Sequence, residues 1–147
     1  MGKTTNKLEQ VFSTLVSDGY DKAFEELNEI VVAHQKVIDS LSIELDLHEL
    51  FITALKKSNV LDDLDAAYDE LVASGEDAST KILYAYLYSN SWDVEWRDVR
   101  GIIETDERHN SARVDESRLD EMGLNLRGLL SESSRRIVVT QGFIGKS

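Results

Sequence analysis

Three strings in the chain carry residue types suited to holding a ligand. Near the C-terminus, Arg136-Ile137-Val138-Val139-Thr140-Gln141-Gly142-Phe143-Ile144-Gly145 is a β-branched run leading into a loop with a glycine on either side of Phe143-Ile144. Such a run suits a buried strand of a parallel sheet. A glycine loop at a strand's C-terminal end is where open α/β sheets bind ligands, because backbone can approach a ligand closely there. At the other end, Gly2-Lys3-Thr4-Thr5-Asn6 stands directly before an amphipathic run of Leu8, Val11, Phe12, Leu15 and Val16. This predicts a loop feeding a helix N-terminus, with Thr4, Thr5 or Asn6 as N-cap. Between the two, Ser74-Gly75-Glu76-Asp77 has the spacing of a capping box, with Ser74 as N-cap and Asp77 three residues on. Glu76 then falls in a first helical turn, where the dipole favours an acid by about 0.3–1 kcal/mol.

Other candidates read more plainly. Gly2-Lys3-Thr4 copies the tail of a phosphate-binding P-loop, whose full pattern needs another glycine five residues upstream. His34, His48 and His109 show no metal-ligand spacing with one another or with nearby acids. His34 falls on the apolar side of a long helix and reads as a core or interface histidine. Asp62-Asp63-Leu64-Asp65 lacks the glycine and terminal glutamate of a calcium loop and reads as a solvated helix start.

The elements that must position these strings follow from hydrophobic spacing. Helices are expected from about Thr5 to Val16, stopping near Asp18-Gly19, and from Tyr20 to about Leu45. Two more are expected over Leu47 to Lys57 and Leu61 to Ala73, and a fifth from Ser74 to about Ser89. Val94 to Val99 alternates and reads as a strand, Ile102-Ile103 as a short second one, Glu116 to Leu130 as an amphipathic helix, and Arg136 to Thr140 as the last strand. Trp96, Asp98 and Arg100 would then alternate along one side of a strand, where a solvent-facing charge pair explains Asp98 and Arg100 as well as a site does. The pattern is α/β with a parallel sheet, helix-rich in its N-terminal half.

Composition narrows the function. At 147 residues the chain is long enough for one domain with a real core. Its 28 acidic residues against 16 basic ones give a formal charge of −12, a field that repels polyanions, so nucleic acid is not expected as a partner. An acidic chain can still bind ATP, because local backbone, lysine and magnesium decide that. No cysteine means no disulfide and no thiolate chemistry, which fits a cytoplasmic protein. No stretch approaches the roughly 20 apolar residues that cross a bilayer, so no membrane association is expected.

In their order and separation, four of these segments resemble the catalytic domain of aspartate kinase, of the amino-acid kinase family. The family's S-A-M-x-K-T-T-N loop is similar to Met1–Asn6, its G-E-x-x-S-T to Gly75–Thr80, its W-x-D-x-R to Trp96–Arg100 and its V-x-T-Q-G-F-I-G to Val138–Gly145. A threonine-acid pair is matched by Thr105-Asp106, whereas Arg108-His109-Asn110-Ser111-Ala112 departs from the usual aromatic-glycine-x-alanine. Asp77-Ala78 likewise replaces an aliphatic pair. The resemblance implies part of a three-layer αβα domain that transfers the γ-phosphoryl of ATP, with Mg2+, to the side-chain carboxylate of L-aspartate. The product, 4-phospho-L-aspartate, opens lysine, threonine and methionine biosynthesis. It implies substrate contacts at Thr5, at a helix N-terminus suited to a carboxylate, at Glu76 against the α-ammonium, and at Gly142 and Phe143. It implies too that the catalytic residues lie outside residues 1–147. The first strand with its lysine would precede Met1, the nucleotide-binding part would follow Ser147, and the whole protein would be a homo-oligomer. Another amino-acid kinase, or a non-enzymatic helical interaction domain, are the alternatives.

The 147-residue chain alone, given ATP, Mg2+ and aspartate, is therefore expected to make no ADP, because the groups that neutralise phosphate charge lie elsewhere. Steady aspartate-dependent turnover in a coupled ADP assay would overturn that expectation.

Overall fold

The computed structural model describes residues 3–103, 105, 106, 114, 116–132 and 136–142. They fall into two compact units, Met1–Ser79 and Thr80–Ser147, described separately here.

The first unit is helical. Helix α1 spans Thr4–Asp18, α2 Tyr20–Ser40 and α3 His48–Ser58; α4, Leu64–Ser89, begins in this unit. Leu8, Val11, Leu27, Ile30, Ile38, Phe51, Leu55 and Leu71 recur at helical spacing and are all buried. Burying each such side chain contributes about 1.5–3 kcal/mol. A single residue, Gly19, joins α1 to α2. Its φ of 91° is one that side-chain-bearing residues rarely adopt, and its N–H donates to the Thr14 carbonyl at 3.1 Å. Across this hairpin the Thr14 hydroxyl donates to Glu26 Oε1 at 3.1 Å.

Three boundaries differ from expectation. Helix α1 begins after Lys3, which has a φ of 81°, and no side chain caps it. The expected cap at Thr4, Thr5 or Asn6 is thus corrected: the threonines are already helical. Helix α2 stops at Ser40 and not near Leu45, because Ser42 adopts a φ of 54° and the Ile43 N–H returns to the Ile38 carbonyl. That turn carries Ile43 and Leu47 into the core.

The third difference matters most for the site. The expected break at Ser74 does not occur, and α4 runs unbroken for 26 residues. Ser74 is buried in mid-helix, where its hydroxyl donates to the Leu71 carbonyl at 2.6 Å. A serine satisfied within its own helix has no need to end it. Leu71, Ser74 and Ala78 continue one buried stripe past the Ser-Gly pair. The first-turn dipole account of Glu76 falls with the capping box. The true cap is Asp63, whose Oδ1 accepts from the N–H groups of Asp65 (2.9 Å) and Ala66 (3.2 Å). The acidic run is a solvated helix start, as expected.

The second unit holds a small parallel sheet. Strand β1, Val94–Trp96, pairs with β2, Ile137–Val139, in the register Val94↔Ile137, Glu95↔Val138 and Trp96↔Val139. The Ile137 N–H to the Asp93 carbonyl and the Arg97 N–H to the Val139 carbonyl, both 3.0 Å, extend the ladder. Parallel neighbours need a long crossover, and helix α5, Leu119–Glu132, lies in this one. The expected strand to Val99 ends at Trp96, because Asp98 Oδ1 accepts from the Arg100 N–H at 2.9 Å and turns the chain into a 3-10 turn, Val99–Gly101. Ile102 belongs to that turn, with its N–H on the Val99 carbonyl at 2.8 Å, so Ile102-Ile103 is not a strand. Thr105 and Val114 form an isolated antiparallel bridge. The expected helix from Glu116 begins as a 3-10 turn, Glu116–Arg118, before α5.

Asp63→Ala should lower the unfolding free energy by about 1 kcal/mol, the ordinary worth of an N-cap. Ser74→Ala should change it by no more than about 0.5 kcal/mol, because alanine is the better helix former. Urea unfolding of the two variants checks both; a larger loss at Ser74 than at Asp63 would contradict the unbroken helix.

Candidate functional site

In the first unit the start of α1 lies directly against α4 at Gly75. A Cβ placed on Gly75 would stand 3.1 Å from Leu8 Cδ1 and 3.5 Å from Thr4 Cγ2. Further along, the Tyr68 hydroxyl donates to Glu9 Oε1 at 2.8 Å, and the Phe12 and Tyr68 rings meet edge to face at 5.5 Å. As α1 advances from Thr4 to Phe12, its partners on α4 retreat from Gly75 to Tyr68, so the two helices run antiparallel along this seam. The hydrogen bond to Glu9, together with burial, holds the Tyr68 hydroxyl above its ordinary pKa.

Two of the expected site residues are the chain neighbours of this contact. Thr5 follows Thr4 in the exposed first turn of α1, where four backbone N–H groups have no partner within the helix. Glu76 follows Gly75 and is half-buried, and its carbonyl accepts from the Ser79 hydroxyl at 3.0 Å.

Gly142 stands in the second unit, just beyond β2. It is exposed, and a Cβ there would meet nothing within 4 Å, so its backbone borders open space. Gln141 before it is buried, and its Oε1 accepts from the Val99 N–H at 3.0 Å. This bond ties the end of β2 to the turn that follows β1. Phe143 and Gly145 lie outside the described residues, as do Met1, Gly2 and His109.

Trp96 is held from α4. Its indole N–H donates to Thr80 Oγ1 at 3.0 Å, and Lys81 Nζ sits 3.9 Å from its ring centroid. Asp98 and Arg100 pair with each other at 3.0 Å across the 3-10 turn. Among the described residues, no group of three or more His, Cys, Asp or Glu could hold a metal ion. His34 is a core residue, as expected: its Nδ1 donates to the Ile30 carbonyl at 2.8 Å, and its ring lies 5.1 Å from Phe51. No helix among the described residues is long and apolar enough to cross a membrane.

No family model matches the chain. Over 95 residues it is 37% identical to the lysine-sensitive aspartokinase 3 of Escherichia coli strain K12, a match covering 64% of this chain and 20% of that protein. Over that stretch the chain shows homology to an aspartokinase. Its structure matches that of E. coli aspartokinase III in complex with lysine and aspartate (T-state), with a TM-score of 0.76 and 28% identity over 99% of this chain. The same enzyme in complex with aspartate and ADP (R-state) gives a TM-score of 0.70 and 26% identity, again over 99% of the chain. The chain spans a third of those solved chains and a fifth of the curated relative.

Three residues carry structural roles that their local strings do not show. Gly75 was treated as part of a cap, Gln141 as a letter in a string, and Thr80 as the end of one. For Gln141 the signal was a polar residue between a β-branched strand and a glycine, where a buried amide can satisfy backbone left over by the sheet. For Thr80 and Trp96 no pattern spaced 16 residues apart could have shown the bond.

Gln141→Leu keeps the volume and leaves the buried Val99 N–H without its acceptor. It should cost about 1–3 kcal/mol of stability. Amide exchange at Val99 should accelerate by the matching factor; unchanged exchange would contradict the anchoring role.

Proposed function

We propose that residues 1–147 are part of the three-layer αβα catalytic domain of an aspartate kinase. The whole protein would transfer the γ-phosphoryl group of ATP to the side-chain carboxylate of L-aspartate, giving 4-phospho-L-aspartate. The observation that carries this reading is the close approach of the first turn of α1 to Gly75, beside Glu76, in a chain 37% identical to an aspartokinase. It is supported by the aspartate and ADP bound to the structural neighbour. The reading brings with it a cytoplasmic enzyme of amino-acid biosynthesis that is a homo-oligomer when whole.

In this reading Thr5 and the N-terminal turn of α1 receive a carboxylate of the substrate, and Glu76 pairs with its α-ammonium. Gly142 and Phe143 are proposed as further substrate contacts on the strength of the motif resemblance alone. The accepting carboxylate has an ordinary pKa of about 3.9 and is ionised at neutral pH, so no general base is required. What remains for this segment is to bind and orient the acceptor. ATP and Mg2+ supply the phosphoryl group and its charge neutralisation. The described residues include no cluster fitted to the metal, so no step within this segment is routed through it, and the nucleotide is assigned to the rest of the domain.

The test is Glu76→Ala in the full-length protein that carries this segment. Loss of a charge-assisted hydrogen bond worth about 1.5–3 kcal/mol should lower kcat/KM for aspartate by roughly one to two orders of magnitude. The KM for aspartate should rise, while that for ATP stays within about twofold. An unchanged aspartate KM would remove Glu76 from the site.

A further inference from the structure

We propose that Gly75 is a positioning residue for the amino-acid substrate: by carrying no side chain it sets the spacing between the N-terminus of α1 and Glu76. The proposal rests on the aspartate-binding reading above and adds to it a residue that does not itself touch substrate.

Glycine is the poorest helix former after proline, so one in mid-helix calls for a physical reason. The three described helical glycines differ sharply here. At Gly123 and Gly128 on α5, an added Cβ would meet nothing within 4 Å. At Gly75 it would stand 3.1 Å from Leu8 Cδ1 and 3.5 Å from Thr4 Cγ2. Gly75 lies within the unbroken α4, a conformation that alanine adopts readily. What an alanine disturbs is therefore the contact with α1 and not the backbone. Leu8 is completely buried, so it cannot swing into solvent. Either it or the helix must give by a few tenths of an ångström.

The consequence falls on ligand spacing. An amino acid presents its carboxylate and its ammonium at a separation set by its own covalent bonds. A site that takes one on the α1 terminus and the other on Glu76 must hold those two groups at a matching distance. The bare backbone at Gly75 sets that distance, because a Cβ there would press on Leu8 and come within 3.5 Å of Thr4, the residue before Thr5, while Gly75 immediately precedes Glu76.

The experiment compares Gly75→Ala, Leu8→Val, the double variant and Gly123→Ala in the full-length protein, with separate KM and kcat values for aspartate and ATP. Gly75→Ala should raise the aspartate KM by about tenfold, since small misplacements of binding groups cost rate steeply. The KM for ATP should stay within about twofold, and kcat should change less than kcat/KM. Leu8→Val withdraws the terminal methyl that the new Cβ would meet. In the double variant the aspartate KM should return to within about twofold of Leu8→Val alone, a non-additive recovery expected only of residues in contact. Gly123→Ala, which gains the same helix propensity without a contact, should leave both KM values unchanged. An unchanged aspartate KM in Gly75→Ala, or a rise that Leu8→Val does not relieve, would overturn the proposal. If the wild-type protein shows no aspartate-dependent turnover, the activity reading fails and takes the substrate role of Gly75 with it. The Leu8–Gly75 coupling, read from melting temperatures of the same four variants, would survive that failure and so distinguishes the two.

Discussion

Leu8 packs against the bare backbone of α4 at Gly75, and that close approach fixes where the start of α1 meets α4. Burial of a leucine contributes about 1.5–3 kcal/mol, whereas glycine in place of alanine costs a helix about 1 kcal/mol, so close packing outweighs the loss of helix propensity. The seam continues through Phe12 and Tyr68, with Glu9 accepting from the Tyr68 hydroxyl. Because α1 and α4 are antiparallel along it, the N-terminal turn of α1 can meet only the stretch of α4 that contains Gly75 and Glu76. The candidate site is thus a by-product of how two apolar stripes align.

The second unit uses a different device. Two strands of three residues form few ladder bonds, and side chains secure what the ladder cannot. Gln141 satisfies the Val99 N–H beyond one end of the sheet, while Trp96 is tied to Thr80 by its N–H and covered by Lys81. Asp98 does for the 3-10 turn what Asp63 does for α4, accepting backbone N–H groups that a starting helix leaves over. These bonds end β1 at Trp96 and set the exit of β2 towards Gly142.

How much was legible beforehand depended on the range of the interaction. The helical periods of Leu8 to Val16, of Ala23 to Ile38 and of the α3 run were visible because each helix buries one face. Gly19 was visible because a glycine after an acid ends a helix locally. The parallel character of β1 and β2 followed from β-branched runs separated by a helix. The break at Ser74 was misjudged for the opposite reason. Ser-Gly with an acid nearby has the local chemistry of a cap, and only the buried stripe through Leu71, Ser74 and Ala78 overrules it.

The sequence by itself determined which segments are helical, that the sheet is parallel, and which family the motifs resemble. Those properties rest on side-chain periodicity and on short strings whose chemistry is local. The tertiary structure alone decided that α4 is continuous, that Lys3 and not a threonine precedes α1, and that Thr4 and Gly75 lie close despite the 70 residues between them. The long α4 and its approach to α1 go with contacts between distant parts of the chain, Leu8 with Gly75 and Tyr68 with Glu9. Local propensity cannot encode such contacts, because their free energy is released only when both partners leave water together.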